Sequence, residues 1–229
     1  MKLAMAVGWR YETEQLVEDW KENTKWADFH IIVDDRGRDP NDLWDNEAER
    51  YRKYRRLAME AGADWLFVTA PDERLGRNAE KIMRGAMEKK TSRIAYDFRV
   101  LELYSPTQYR CDGHWDSQYH SRMYKLDRYQ MIADKTLHAD PVPCQPKHRH
   151  KIIGVDIYHL KHIEPENRRI RTEVFKQLDP EGKLGGLGAG YDYLDDEKNI
   201  ELKTIPKDDM YLPPYRKPYL FNPTLPQEP

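Results

Sequence analysis

Three short apolar runs, LAMAV, FHIIV and WLFV, recur between Leu3 and Val68 with amphipathic stretches separating them, and this alternation constrains the fold more than any other feature. Each run is too short to be a buried helix and apolar enough to be covered on both faces, as a strand inside a helix-flanked sheet is. Leu3 to Val7 therefore reads as a strand closed by Gly8, Phe29 to Val33 as a second, and Trp65 to Val68 as a third. Between them, Thr13 to Asn23 places Leu16, Val17 and Trp20 at helical spacing, and Asn46 to Ala61 is an amphipathic helix stopped by Gly62. ERLGRNAEKIMRGAMEKK adds a further helix with Ile82, Met83 and Met87 facing inward. The order predicts an α/β fold: a mixed, mainly parallel central sheet with helices on both faces.

Beyond Lys90 the pattern loosens. RIAYDFRVLELY alternates as a long strand of an antiparallel or mixed sheet does, Ser105 to Asp116 reads as a polar connection, and SRMYKL and HKIIGVDIYHL are further strands. PENRRIRTEVFKQL predicts a helix with Pro165 in its first turn and Ile170, Val174 and Leu178 on one face. GKLGGLGAG has the composition of a loop, and the tail from Ile205 is rich in Pro and Tyr. These elements divide the chain into an α/β unit over 1–165, with halves 1–90 and 91–165 sharing one sheet, and a C-terminal helix, loop and tail over 166–229 packed on it.

Hydrophobic residues are 39% of the chain against 34% charged, with 6 Trp, 15 Tyr and 5 Phe, so a solvated surface encloses a core anchored by aromatics. A formal net charge of -2 excludes binding to nucleic acid through a global basic field, leaving only local patches such as ERYRKYRR and KHRHK. Cys111 and Cys144 are the only cysteines, too few for a disulfide framework or a thiolate zinc site. The apolar stretch before Gly8 is too short for a signal sequence, and no run approaches the ~20 residues of a membrane span. The expectation is a soluble, cytoplasmic protein.

Ligands of open α/β sheets gather beyond the carboxyl ends of parallel strands. Two acid pairs fall at such ends: Asp34 and Asp35 after the second strand, and Asp72 and Glu73 after the third. One such acid is ordinarily a turn residue or helix cap; pairs at two consecutive strand ends point to a site that receives sugar hydroxyls, a base N–H or a hard cation beside phosphate.

IIVDDRGRD resembles the VVDDxSxD stretch of family 2 glycosyltransferases, and GADWLFVTAPDERL resembles their GxWxLxLDADERL stretch, with a similar basic helix, AERYRKYRRLAMEAGAD, between the two. The resemblance covers Lys2 to Met87 and implies a GT-A-like fold, a nucleotide-diphospho-sugar donor such as a UDP- or GDP-sugar, Mn2+ or Mg2+, and inverting transfer to a hydroxyl. By position it implies a nucleotide-sugar site at Val7, Gly8, Asp34 or Asp35, Arg56 and Pro71, with Arg122 reaching the diphosphate. Asp72 would face the metal. The first acid of the metal motif is replaced by Ala70, and His159, at the end of VDIYHL, is the residue expected to supply the missing ligand.

Such transfer needs a base beside the acceptor. Asp116 in CDGHWDS is the first choice and Asp112 its rival, with His114, Trp115, His120 and His138 expected to line the acceptor side and Asp140 of LHAD a second-rank candidate. The Gly-rich stretch reads as a linker or a lid over the donor. The acceptor class stays open among protein, glycan and modified nucleic-acid base, and compact length with an aromatic tail resembles small glycosyltransferases encoded by bacteriophages, which would place the protein in host cytoplasm. Rival functions are a nucleotidyltransferase, which would carry a Gly-rich basic stretch where VGWRYETEQ stands, and a non-catalytic nucleotide-sugar or glycan-binding module, which Ala70 favours.

Overall fold

The computed structural model describes residues 1–37, 47–89, 94–135, 138–145, 147, 149–183, 191–216 and 218–219, with the side chains of positions 114 and 117 excepted. The predicted loop at 184–190 and the end of the tail lie outside the described residues, as does most of the turn after Asp35.

Strand β1 (Leu3–Trp9) lies between two parallel neighbours, β2 (Phe29–Asp34) and β3 (Trp65–Val68), in the register Ala6 opposite Ile31 and Val68. Its side chains alternate between two cores. Leu3, Met5 and Val7 pack with Trp20 of α1 (Glu14–Asn23) and Met83 of α3 (Ala79–Met87), whereas Ala4 and Ala6 face Tyr54 and Ala58 of α2 (Glu47–Glu60). Both faces are covered by helices, which is why the run carries no polar residue. Thr13 caps α1, accepting from the Leu16 N–H at 3.4 Å, and α2 is followed by Gly62 at φ +78°, a left-handed position suited to glycine.

The second half of the sheet is built on β5 (Ile94–Ser105), which pairs antiparallel with β7 (Tyr119–Lys125) and parallel with β8 (Arg149–His159). Antiparallel pairing of β3 with β7 joins the halves, so the sheet is mixed, as the change of pattern after Lys90 anticipates. Three short strands were not anticipated: β4 (Glu73–Leu75), β6 (Gln108–Arg110) and β9 (Leu202–Thr204). The segment read as a connection thus contains β6, which pairs with both β5 and β9. At three residues each, these strands show no period of their own: β4 and β9 are created by partners distant in sequence, and β6 by a tight turn back onto β5.

Helix α4 (Pro165–Leu178) packs its apolar face inward, Val174 with Ile170 and Leu178 beside it, and buries a polar face as well. Asn167, Arg168 and Thr172 are buried with Val174 and Phe175, because Asn167 donates to the Tyr219 carbonyl at 2.9 Å and Arg168 to the His162 carbonyl at 2.6 Å. The aromatic tail belongs to the same body: Tyr211 and Tyr219 pack with Leu101, Leu103 and Tyr158. Among the described residues no helix is long and apolar enough to cross a membrane.

Candidate active site

A cleft of about 1040 Å3 opens beyond the carboxyl ends of β1 and β3. Gly8, Pro71, Asp72, Arg122 and His159 line it, together with Trp115, His120, His138 and Asp140. Five separate stretches of chain therefore deliver residues that the sequence singled out.

At Gly8 the strand end must lack a side chain. A Cβ there would stand 2.5 Å from Tyr54 Oη and 3.3 Å from Arg50 Cδ, both on α2. Arg50 is held from behind by Asp35, which is buried, with Oδ2 3.3 Å from Arg50 Nε. Asp35 thus orients a cleft residue without lining the cleft. Asp34 points away, exposed, and is held by Arg36 through contacts of 2.9 and 2.6 Å, which keep its carboxyl at about 2.

The loop after β3 is built on Glu73. Its Oε2 accepts from Thr69 Oγ1 at 2.7 Å and from the Ala70 N–H at 2.9 Å, and its Oε1 accepts from Arg122 at 2.7 Å. Antiparallel pairing of β4 with β8 sets Glu73 opposite His159 and so carries His159 to Asp72. The two lie side by side, with Nε2 3.5 Å from Asp72 Oδ1. His159 Nδ1 meets Glu102 Oε1 at 3.0 Å, and Asp72 Oδ2 accepts from the Tyr219 hydroxyl at 2.9 Å.

This chain of buried groups fixes the local electrostatics. Burial works to raise both carboxyls, but His159 outweighs it, with help from Lys161, so Asp72 and Glu102 lie below the usual carboxylate range. Burial works to lower His159, and Glu102 with Asp72 overcomes it, leaving its pKa raised. Lys161 has no such excess of partners: burial, reinforced by Arg171, brings its ammonium down to about 8. His162 is pushed well down by burial.

The donor set does not fit the metal that the sequence resemblance implies. Ala70 offers no side-chain oxygen, Asp72 and His159 face each other, their other polar atoms are taken by Tyr219 and Glu102, and an ammonium stands beside them. Among the described residues no group of three or more His, Cys, Asp or Glu side chains is arranged to hold a metal ion.

Other expected residues lie away from the cleft. Val7 is wholly in the core, and Arg56 pairs with Glu60 at 2.8 Å on the exposed side of α2. The favoured base, Asp116, is exposed with Lys203 Nζ 3.5 Å away, and Asp112 is clamped by Arg110 at 2.8 and 2.9 Å. Pairing of β6 with β9 brings Lys203 to this region, which makes it an ordered ion-paired edge. The side chain of His114 lies outside those described.

Trp115 does reach the cleft, with its ring centroid 5.5 Å from His162 and 5.7 Å from Tyr193. Phe175 and Tyr191 stack at 5.1 Å, with the His138 ring 5.5 Å from Phe175, so one wall is aromatic. His138 has φ +55°, a left-handed backbone uncommon outside glycine.

Sequence reasoning missed Glu102, Lys161 and Tyr219. Glu102 carried a signal, a single carboxylate between Leu101 and Leu103 in an otherwise apolar strand end. Tyr219 carried none.

No family model matches the chain, and no curated protein matches it in sequence. Among solved structures, it is similar to a glycosyltransferase involved in the glycosylation of the major capsid of PBCV-1, at 11% identity and a TM-score of 0.32, over 55% of this chain and 60% of that one. At that distance the likeness says nothing about chemistry.

Proposed function

We propose that the protein transfers a sugar from a nucleotide-diphospho-sugar, a UDP- or GDP-sugar, to a hydroxyl of a protein, glycan or modified nucleic-acid base. The observation that carries this reading is the convergence of Gly8, Asp72 and Arg122 on one cleft at the carboxyl ends of β1 and β3. That is where open sheets take nucleotides. The cleft also divides its chemistry suitably: Arg10, Arg122, Lys161 and Arg171 suit a diphosphate, and the aromatic wall suits the faces of sugar rings.

In this reading Gly8 and Tyr54 border the nucleoside, and Arg122 and Lys161 the diphosphate. The acceptor oxygen attacks the anomeric carbon, the bond from that carbon to the diphosphate oxygen breaks, and the acceptor proton passes to a base. Asp140 is the base of choice: it lines the cleft, partial desolvation there raises its pKa, and among the described residues its Oδ1 alone is engaged, by the Val142 N–H at 2.8 Å. A single displacement of this kind inverts the anomeric centre. No step is routed through a divalent cation.

Calorimetric titration of UDP and GDP, with and without Mn2+, tests the nucleotide reading; absence of binding in every condition overturns it. Asp140→Asn is expected to retain nucleotide binding and lose transfer by about 10²–10⁴-fold. Ala70 favours a second reading, a non-catalytic nucleotide-sugar-binding module. It predicts binding without release of UDP or GDP from any sugar nucleotide, by wild type and Asp140→Asn alike.

A further inference from the structure

Two buried polar atoms at the floor of the cleft have no hydrogen-bond partner among the described residues: Glu102 Oε2 and His162 Nε2. They stand 3.8 Å apart, on side chains 8% and 5% exposed, and both residues line the cleft. An unsatisfied buried donor or acceptor costs about 1–3 kcal/mol, so a pair of them on side chains that line a cavity calls for a polar occupant.

The surroundings define that occupant. Glu102 Oε1 is already engaged by His159 Nδ1 at 3.0 Å, so the carboxylate is fixed in orientation and presents Oε2 as an acceptor. Lys161 Nζ lies 3.7 Å from the same Oε1 and adds three donors at the cleft edge. Trp115 and His162 meet in an edge-to-face arrangement at 5.5 Å, which sets the indole next to the polar pair, with Arg110 5.2 Å from the indole ring centroid. Acceptor, imidazole and aromatic ring together match a neutral polyol ring: one hydroxyl donates to Glu102 Oε2 and accepts from His162 Nε2, while the C–H face of the ring rests on Trp115.

We propose that Glu102, His162 and Trp115 form the subsite that holds the transferred sugar of the donor. The proposal rests on the nucleotide-sugar reading above and assigns its sugar end. The donor sugar is the ring that has to be kept dry, since water reaching its anomeric carbon in place of the acceptor hydroxyl would hydrolyse the donor, and the buried side chains of Glu102, His162 and Trp115 meet that need. The acceptor would then enter from the more open side, where Asp140 and His138 are exposed.

The test is calorimetric titration of UDP, GDP, UDP-glucose, UDP-N-acetylglucosamine and GDP-mannose into the full chain, wild type and the variants Glu102→Gln, His162→Phe and Trp115→Leu. At least one sugar nucleotide is expected to bind wild type about tenfold or more tightly than its own free diphosphate, a gain that two hydrogen bonds and a ring contact supply. His162→Phe and Trp115→Leu are expected to erase that gain while leaving UDP and GDP affinity within about twofold, which also shows that the variants are folded. Glu102→Gln, which keeps shape and one acceptor oxygen, should erase it in part. Equal weakening of free and sugar-bearing nucleotides by these variants overturns the proposal, as does a wild type that binds every sugar nucleotide no better than its diphosphate. Titration of MnCl2 alone is the remaining arm: Mn2+ binding abolished by Glu102→Gln or His162→Phe would assign these atoms to a cation and overturn it too. Absence of any nucleotide binding would instead remove the reading on which it stands.

Discussion

The Tyr219 hydroxyl donates to Asp72 Oδ2 at 2.9 Å, closing a contact between residues 147 apart in sequence. The motif acid at the end of β3 is thereby held by the tail of the chain, and the tail by α4 through Asn167.

Tyr219→Phe removes one donor from a buried carboxylate and leaves its neighbours in place. We expect a loss of about 1–3 kcal/mol of stability, read as a lower urea midpoint with unchanged slope. An unchanged midpoint would mean that the contact carries no net stabilisation.

The Glu102–His159–Asp72 chain makes stability depend on pH from both sides. His159 has a raised folded pKa, so its contribution is complete below its ordinary value of about 6.5 and is lost as pH rises through the folded value. Asp72 and Glu102 are lowered, so theirs is complete above about 4 and is lost as pH falls through their folded values. Urea midpoints taken from pH 3 to pH 9 should fall at both ends, and His159→Gln should flatten the alkaline limb. An alkaline limb that survives this substitution contradicts the assignment.

Lys161 gives the opposite signature. Its folded pKa of about 8 lies below the 10.5 of a free side chain, so the unfolded chain takes up the proton first and stability declines as pH drops from 10.5 towards 8. Lys161→Met should stabilise the protein at neutral pH, by at most about 3 kcal/mol, and abolish that slope. A lower thermal midpoint at pH 7 would show that the pairing with Glu102 outweighs desolvation.

Gly8→Ala should weaken both fold and nucleotide binding, because the new methyl meets Tyr54 Oη at 2.5 Å and Arg50 Cδ at 3.3 Å. Overpacking of this kind costs about 1–3 kcal/mol. Adding Tyr54→Phe removes the closest atom, so the double variant is expected to recover part of the loss in a denaturation cycle. Strict additivity of the two substitutions would place the strain elsewhere.

The alternation of LAMAV, FHIIV and WLFV with amphipathic stretches made the first three strands and the helices around them readable, because burial on both faces leaves a run of apolar residues that chemistry alone reveals. That Gly8, Pro71 and Asp72 stand near one another was an expectation from the resemblance over Lys2 to Met87, and folding adds Arg122 and His159 to the same cleft. The division of labour between Asp34 and Asp35 was not, since neighbouring strand residues point to opposite sides and only the position of Arg50 on α2 decides which one is buried.

The sequence by itself determined the α/β order, the strand-end location of the acids and the lack of a side-chain oxygen at Ala70. Tertiary structure alone decided what fills that neighbourhood. Pairing of β4 with β8 delivers His159 and the tail delivers Tyr219, so Asp72 is satisfied from two distant segments, while Glu102 of β5 holds the far side of His159. The same folding set Asp112 and Asp116 against Arg110 and Lys203, away from the cleft. Local pattern records which faces are buried; it does not record which distant polar group will meet a buried charge, and at this site that meeting sets the chemistry.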